Sequence, residues 1–513
     1  MKIIHLKIIL PLITLLFYLI PSHLAAQDFQ LASNGVTVTC DSASVGDTGD
    51  VTIDGTTTTF TKRTKDQITT VNAATTCTSG ITDMSFIFSG ATNFNQDIGT
   101  WDVSQVTNMR AMFASTSFAP LMFNQDIGSW DVGQVTDMQE MFQAAVAFNQ
   151  NIGNWDVSHV TNMGRMFKDA VAFNQDINDW DVSQVTDMSN MFNRAAVFNQ
   201  DIGSWDVGQV TDMQEMFEAA VAFNQNIGTW DVSQATNMGR MFEDAVAFNQ
   251  DIGTWDVSSV TNTRKMFHSA VAFNQDIGSW DVGQVTDMNS MFNAAVVFNQ
   301  NIGNWDVSQV TGMSSMFRFA GAFNRDISNW DVSQVTIMGE MFQGATAFNQ
   351  DIGSWDVSQV TDMGLMFDRA EAFNQDLSTW CVEQIADKPT LFDTGSGFEG
   401  QTEKQPQWGT CPTATSVEDI VDLPTKIQLK QNFPNPFNPT TSIQFALPES
   451  QEVSLVVYDL LGRRVAHLLR NEVRSAGSHS VNFDAASLSS GVYIYQLRAA
   501  GGATINRKLT LIK

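Results

Sequence analysis

A tryptophan recurs at a fixed step through most of this chain: Trp101, Trp130, then one every 25 residues to Trp380. Each marks a copy of one unit, which from Phe123 to Ala147 reads F-N-Q-D-I-G-S-W-D-V-G-Q-V-T-D-M-Q-E-M-F-Q-A-A-V-A. A unit this short carries one supersecondary element and cannot bury its own apolar side, so the copies must stack and share a core. Only the first step is longer, 29 residues, through an insertion around Thr116–Leu121. The skewed composition comes from the copying: 36 Phe, 24 Met and 13 Trp stand beside 4 Tyr.

Within a copy, Asn124–Ile127 reads as a short extended segment closed by Gly128, and Thr136 to Ala145 has apolar residues at helical spacing. Thr136 or Asp137 is placed to cap that helix. The expected fold is a repeat solenoid, leucine-rich-repeat-like, of short parallel strands plus short helices. Its core is Phe123, Ile127, Val132, Val135, Met138, Met141 and Phe142, with the Trp column packed beside them, since an indole buries a large area and needs one polar partner. The Asn124-Gln125 pairs and their successors are expected to form amide ladders along the stack.

Stacking also lines up carboxylates. Asp131, Asp156 and Asp181 begin one column, and like charges at strand spacing repel unless they are capped, solvated or bridged. Two readings are open: Asp residues capping turns in solvent, or weak calcium binding at Asp131, Asp156 and Asp181. The glycine-rich nonapeptide of calcium-binding rolls is absent, and no other cofactor is expected. A second period lies over the first, because G-S-W-D-V-G-Q-V-T-D-M begins at Gly128, Gly203 and Gly278, so blocks of 75 residues have been copied. Copying multiplies a surface, whereas an active site needs singular residues. His159, His268, Arg165, Arg240 and Arg325 are scattered and form no catalytic constellation, so the chain does not read as an enzyme.

Flanking segments place the chain outside the cell. Lys2 and Lys7 precede an apolar run from Ile8 to Ile20, with Ala25 and Ala26 before Gln27: an export signal, cleaved after Ala26. No later stretch is long and apolar enough for a transmembrane segment. Cys40, Cys77, Cys381 and Cys411 are even in number, and disulfides are the default in an exported chain. Of the three possible pairings, Cys40–Cys77 and Cys381–Cys411 are favoured, as clamps on the two ends of the repeats. The formal charge is −28. It lies ahead of residue 413, beyond which ten Lys/Arg meet eight Asp/Glu, and such acidity argues against nucleic acid as a partner.

Six segments result: signal peptide 1–26, N-terminal cap 27–84, repeats 85–380, C-terminal cap 381–412, linker 413–428, and a terminal domain 429–513. Alternating runs at Ser442–Leu447, Val453–Tyr458, Ser478–Phe483, Val492–Leu497 and Thr504–Ile512 make that last domain a small all-β sandwich.

The unit F-N-Q-D-I-G-x-W-D-V-S-x-V-T-x-M-x-x-M-F resembles the BspA-like leucine-rich-repeat surface proteins of bacteria, over roughly Ser85 to Pro412. That resemblance implies a surface location and, for some members, adhesion. Asn432–Thr440, Tyr458–Arg463, Gly491-Val492-Tyr493 and Lys508–Lys513 are similar to the type A C-terminal sorting domain of the type IX secretion system. This implies passage through the periplasm and outer membrane of a Gram-negative bacterium, with Gly491, Tyr493, Lys508 and Lys513 part of the sorting signal. It also implies that the domain is removed and the rest released or anchored. The expected function is adhesion or binding of an unidentified surface, polysaccharide or protein ligand through a multivalent face; the alternative is a passive spacer or coat.

Overall fold

The structure, a computed structural model, describes residues 28–412 and 426–512 apart from 475, 487 and 500–502. The expected signal peptide, most of the linker and Lys513 lie outside the described residues. The chain divides into two compact units, Met1–Pro412 and Thr413–Lys513.

The first unit opens with short strands that make a lid for the repeats. β1 (Gln30–Leu31) pairs with β2 (Val38–Thr39), and β3 (Thr48–Ile53) with β4 (Thr56–Lys62), which meets β5 (Thr76–Cys77) in parallel. Cys40 is bonded to Cys77 within the small core of this lid.

The repeats do not form the expected solenoid of parallel strands plus short helices. Among the described residues there is no α-helix, only single 3-10 turns such as Lys65–Gln67, and strands of more than one residue lie outside the repeats. Each repeat is a chain of tight turns. The supposed helix from Thr136 to Ala145 shows why. Its Met141, Gln143 and Ala145 N–H groups close three-residue turns onto Met138, Glu140 and Phe142, at 3.1, 3.0 and 3.0 Å. The intervening donors, Met138, Glu140, Phe142 and Ala144, point instead at the next copy and bond the carbonyls of Asn162, Gly164, Met166 and Lys168 at 2.7–3.1 Å. No amide is left for a helical i→i−4 bond, and Glu140 (φ 60°) and Ala144 (φ 55°) take the left-handed conformation this alternation requires. The expected strand at Asn124–Ile127 is likewise absent. The single parallel bridge of each copy sits at Asp137↔Asn162 and its equivalents.

Side chains complete the stacking. Asn149 N–H donates to Asn124 Oδ1 at 2.9 Å, and Gln150 Nε2 donates to the same oxygen at 2.9 Å, a ladder that repeats to Asn374. Each indole is buried, and Trp155 Nε1 gives its one hydrogen bond to Ile127 O of the previous copy at 3.2 Å. Phe123, Ile127, Val132, Val135, Met138, Met141 and Phe142 are all at most 1 % exposed, and their equivalents form one continuous core.

Spacing between copies is uneven. Equivalent rings are 5.7 Å apart for Phe142/Phe167, 6.0 Å for Phe148/Phe173 and 6.4 Å for Trp130/Trp155, against about 4.8 Å across a β-bridge. The rings of successive copies are thus farthest apart along the tryptophan column. At its far end the parallel stacking stops: Phe392 and Phe398 meet Phe367 edge-on, Lys404 Nζ takes the last ladder oxygen, Asn374 Oδ1, at 2.7 Å, and Cys381 is bonded to Cys411.

The second unit is two antiparallel sheets around one core. One holds β6 (Gln428–Leu429), β7 (Thr440–Leu447) and β10 (Gly477–Asp484); the other holds β8 (Gln451–Tyr458), β9 (Arg464–Arg474), β11 (Gly491–Ala499) and β12 (Thr504–Leu511). β9, the longest strand, was not among the expected runs. Its sequence R-V-A-H-L-L-R-N-E-V-R is charged and largely exposed, and it lacks the clean alternation that marks a half-buried strand.

Candidate functional site

Most positions of the repeat hardly vary, because they build the core, the ladder or a turn. Variation collects at the four positions that equal Gln139, Glu140, Gln143 and Ala144, two on each side of the Met-Phe pair. They belong to the run that bonds copy to copy, so they form one stripe along the stack. Of the ten Lys and Arg between Ser85 and Trp380, nine stand in this stripe, and Arg325 alone is elsewhere. Insertion residues Thr116–Ala119 border its early end: Ser117 Oγ reaches Asp169 Oδ2, 52 residues on, at 3.0 Å, and leaves Phe118 fully exposed.

Charges in the stripe pair across copies. Arg165 reaches Glu140 at 3.2 Å and Arg318 reaches Glu340 at 3.1 Å. Glu243 gathers three nitrogen partners: Lys265 Nζ and His268 Nδ1 each lie 2.8 Å from Oε1, and Arg240 Nε lies 3.7 Å from Oε2. Burial works to raise the Glu243 carboxyl, but the bonds from His268 and Lys265 outweigh it and hold the group below the usual carboxylate range. Glu218, one copy earlier, has no bonded base, and the attraction of Arg240 is outweighed. Burial, then repulsion from Glu215 and Glu243, pushes it up to about 7.

Hydrogen-bonding capacity is also left over here. Among the described residues of the first unit, seven buried side-chain polar atoms lack a hydrogen-bond partner. Six are in the stripe: Arg110 Nε, Asn193 Oδ1, Glu218 Oε2, Glu243 Oε2, Arg318 Nε and Gln343 Oε1. Buried polar atoms are nearly always satisfied, so a concentration on one face marks it out.

Of the residues singled out from the sequence, Arg165, Arg240 and His268 stand in the stripe, and the structure brings Arg240 and His268, far apart in the sequence, onto the same Glu243; the calcium candidates lie elsewhere. Asp131, Asp156 and Asp181 form an exposed column on which each Oδ1 accepts its own turn's N–H two residues on, at 3.1–3.2 Å. Ser158 and Ser183 bonds hold Asp156 and Asp181 below the usual carboxylate range. Their carboxylates do not converge. Among the described residues, the only clustered group of metal-ligating types is Cys381, Glu383 and Cys411, whose sulfurs form the disulfide. His159 lies in the exposed turns beside Ser158, whereas His268 is in the stripe. Sequence reasoning missed the stripe, although comparing the copies column by column exposes it.

In the second unit, Gly491, Tyr493 and Lys508 lie on the β11·β12 ladder, paired with Leu511, Leu509 and Ile494. The Asn432–Thr440 segment is pinned to this sheet: Tyr495 Oη donates to Lys430 O at 2.7 Å and accepts Asn432 N–H at 2.8 Å. Asp459 closes the next turn by accepting the Leu461 and Arg463 N–H groups, each at 2.9 Å, which leaves Leu460 and Leu461 exposed.

Family comparison covers both units. Residues 56–174, 118–227, 147–252, 198–304 and 297–408 match the family described as Mycoplasma protein of unknown function, DUF285. Residues 431–512 match the secretion system C-terminal sorting domain. No curated protein and no solved structure matches the chain. Among the described residues no helix is long and apolar enough to cross a membrane.

Proposed function

We propose that this chain, which belongs to the DUF285 family and ends in a secretion system sorting domain, is a non-catalytic adhesion or ligand-binding module whose working face is the stripe. The sorting domain directs the protein to the type IX secretion machinery, and so to the cell surface or the extracellular space. What the first unit does there is inferred from one observation: variable side chains and unpaired buried polar atoms share one face of an otherwise constant scaffold. Constancy elsewhere is explained by packing, whereas a polar group left unsatisfied in a protein interior costs about 1–3 kcal/mol and calls for a water, an ion or a ligand. The likeness of the repeat to BspA-like surface proteins points the same way. Many modest contacts along one face give avidity beyond any single one.

The test is retention of the purified full chain on polysaccharides, matrix proteins and whole cells, with and without calcium. It is repeated with an Arg165→Ala, Lys168→Ala, Arg194→Ala variant of the stripe. Saturable retention weakened by the triple variant is the expected result. Retention that the variant leaves unchanged refutes the stripe as the working face, and no retention on any surface favours a passive spacer or coat.

A further inference from the structure

Exposed turns are normally built from polar residues and glycine, and one turn of each copy is not. Phe148 N–H closes it onto Ala145 O at 3.1 Å, with Val146 and Ala147 at the tip. The Ile127–Trp130 and Val132–Val135 turns, by contrast, carry Gly128-Ser129 and Gly133-Gln134. Seven successive copies, from Val146 to Val296, keep a valine at one of the two tip positions, and those from Val171 to Val297 are 38–45 % exposed. The following three copies place Gly321, Thr346 and Glu371 there, so the turn accepts polar residues and the apolar ridge has a definite end. Its pitch is regular: the adjoining rings from Phe148 to Phe298 step by 6.0–6.1 Å. A continuous apolar patch of this kind is uncommon on a soluble monomer and marks an interaction surface.

We propose that the valine ridge joins two antiparallel copies of this chain about a two-fold axis at the copy that carries Val221. Three observations select this occupant. The ridge is made of turn tips, so it is convex and encloses no small molecule. Its partner must hold register through six equal steps. An extended peptide sets alternate side chains about 6.4–6.8 Å apart and drifts out of step, whereas a second stack has the same pitch by construction. Charge also favours this face. A chain of net charge −28 repels itself, but the ridge lies between the uncharged Asn-Gln ladder and the stripe, where nine Lys/Arg nearly balance eight Asp/Glu. The stripe column next to the ridge gives the orientation: it reads Asp169, Arg194, Ala219, Asp244 and Ser269, with Ala144 and Ala294 at its ends. Turned end for end about Ala219, this column sets Arg194 against Asp244 twice and opposes no like charges; both side chains reach solvent. Such a self-complementary patch is what a two-fold interface requires. The antiparallel arrangement also leaves both stripes on one side of the seam. None of this depends on what the stripe binds.

The experiment is sedimentation velocity of the full chain over a concentration series up to about 100 µM, in which a reversible dimer is expected. Val221→Glu with Val246→Glu, the residue already tolerated at Glu371, should weaken association at least about a hundredfold, with an unchanged melting temperature confirming the fold. Thr346→Glu, beyond the end of the ridge, should leave the dimer intact. Asp244→Arg should weaken it at least about tenfold, and Arg194→Asp added to the same chain should restore it. Orientation is read by cross-linking, since all four native cysteines are in disulfides. Under mild oxidation Val221→Cys should link to itself, whereas Val146→Cys should link only when mixed with Val296→Cys. A monomer at every concentration, a dimer that the two glutamates leave intact, or self-linking of Val146→Cys would overturn the assignment.

Discussion

Replacing Trp205 by alanine tests whether the stack is held copy by copy. The indole is 3 % exposed, lies 6.4 Å from Trp180 and 6.3 Å from Phe192, and gives its Nε1–H to Ile177 O at 3.1 Å. Removing a buried Trp side chain costs about 3–5 kcal/mol; the Ile177 carbonyl keeps the Trp180 N–H at 3.2 Å, so the lost indole bond adds only about 0.5–1.5 kcal/mol. The sum is roughly 3.5–6.5 kcal/mol, or several hundredfold or more in local opening. A long repeat array does not unfold as one unit, so a single unfolding free energy is the wrong readout. Hydrogen exchange by mass spectrometry on the full chain is the right one, because the amides of Met188, Phe192, Met213 and Phe217 each bond the next copy. Their protection should collapse while that near Met109 and Met338 persists. Trp205→Phe, which keeps a ring and drops the donor, should lose the indole bond alone, about 0.5–1.5 kcal/mol. A loss for the alanine variant below about 2 kcal/mol, roughly thirtyfold, or one spread evenly along the repeats, would sink nearest-neighbour stacking as the source of stability.

Asn249→Ala should cost about 1–3 kcal/mol of local stability, read by the same exchange experiment, because Asn249 Oδ1 accepts both Asn274 N–H and Gln275 Nε2, each at 3.0 Å. Glu218 titrates near 7 when folded against 4.5 as its ordinary value, so the folded chain binds the extra proton between these values. Stability should therefore fall as pH rises from 4.5 to about 7, and urea midpoints across that window should lose this component in Glu218→Gln; identical slopes for the two proteins would be the contrary result. Tyr495→Phe removes both bonds of the hydroxyl to Lys430 and Asn432 and should lower the denaturation midpoint of the second unit by an amount equivalent to about 1–3 kcal/mol. An unchanged midpoint would mean that the Asn432–Thr440 segment is held by other contacts.

The columns of the core were legible in the sequence because a residue that faces inward in one copy faces inward in all. Phe123, Ile127, Met138 and their equivalents, the buried Trp column and the Asn-Gln ladder are where the repeat placed them. The backbone that connects them was not legible. Apolar residues at Met138, Met141, Phe142 and Ala145 recur three and four apart, which is the spacing of a helix face. It is equally the spacing of successive tight turns that each return to the core, and only the destination of the amides separates the two. Left-handed positions such as Glu140, Arg165 and Asn190 carry side chains of every kind rather than glycine, so the residue types gave no warning. The stripe escaped for another reason: attention to what repeats hides the positions that do not.

Nearly every bond between copies joins a residue to one about 25 positions away, and no bond depends on how many copies lie beyond. Deleting or adding one whole unit between the two end pieces leaves all other partners in place. The gene can therefore lengthen or shorten by unequal recombination between its own near-identical segments, as the 75-residue blocks record, and each product meets the same folding rules as its parent. Inheritance within such a lineage acts separately on the number of copies and on the few positions of the stripe. Length of the stack and chemical character of the stripe become independently heritable traits.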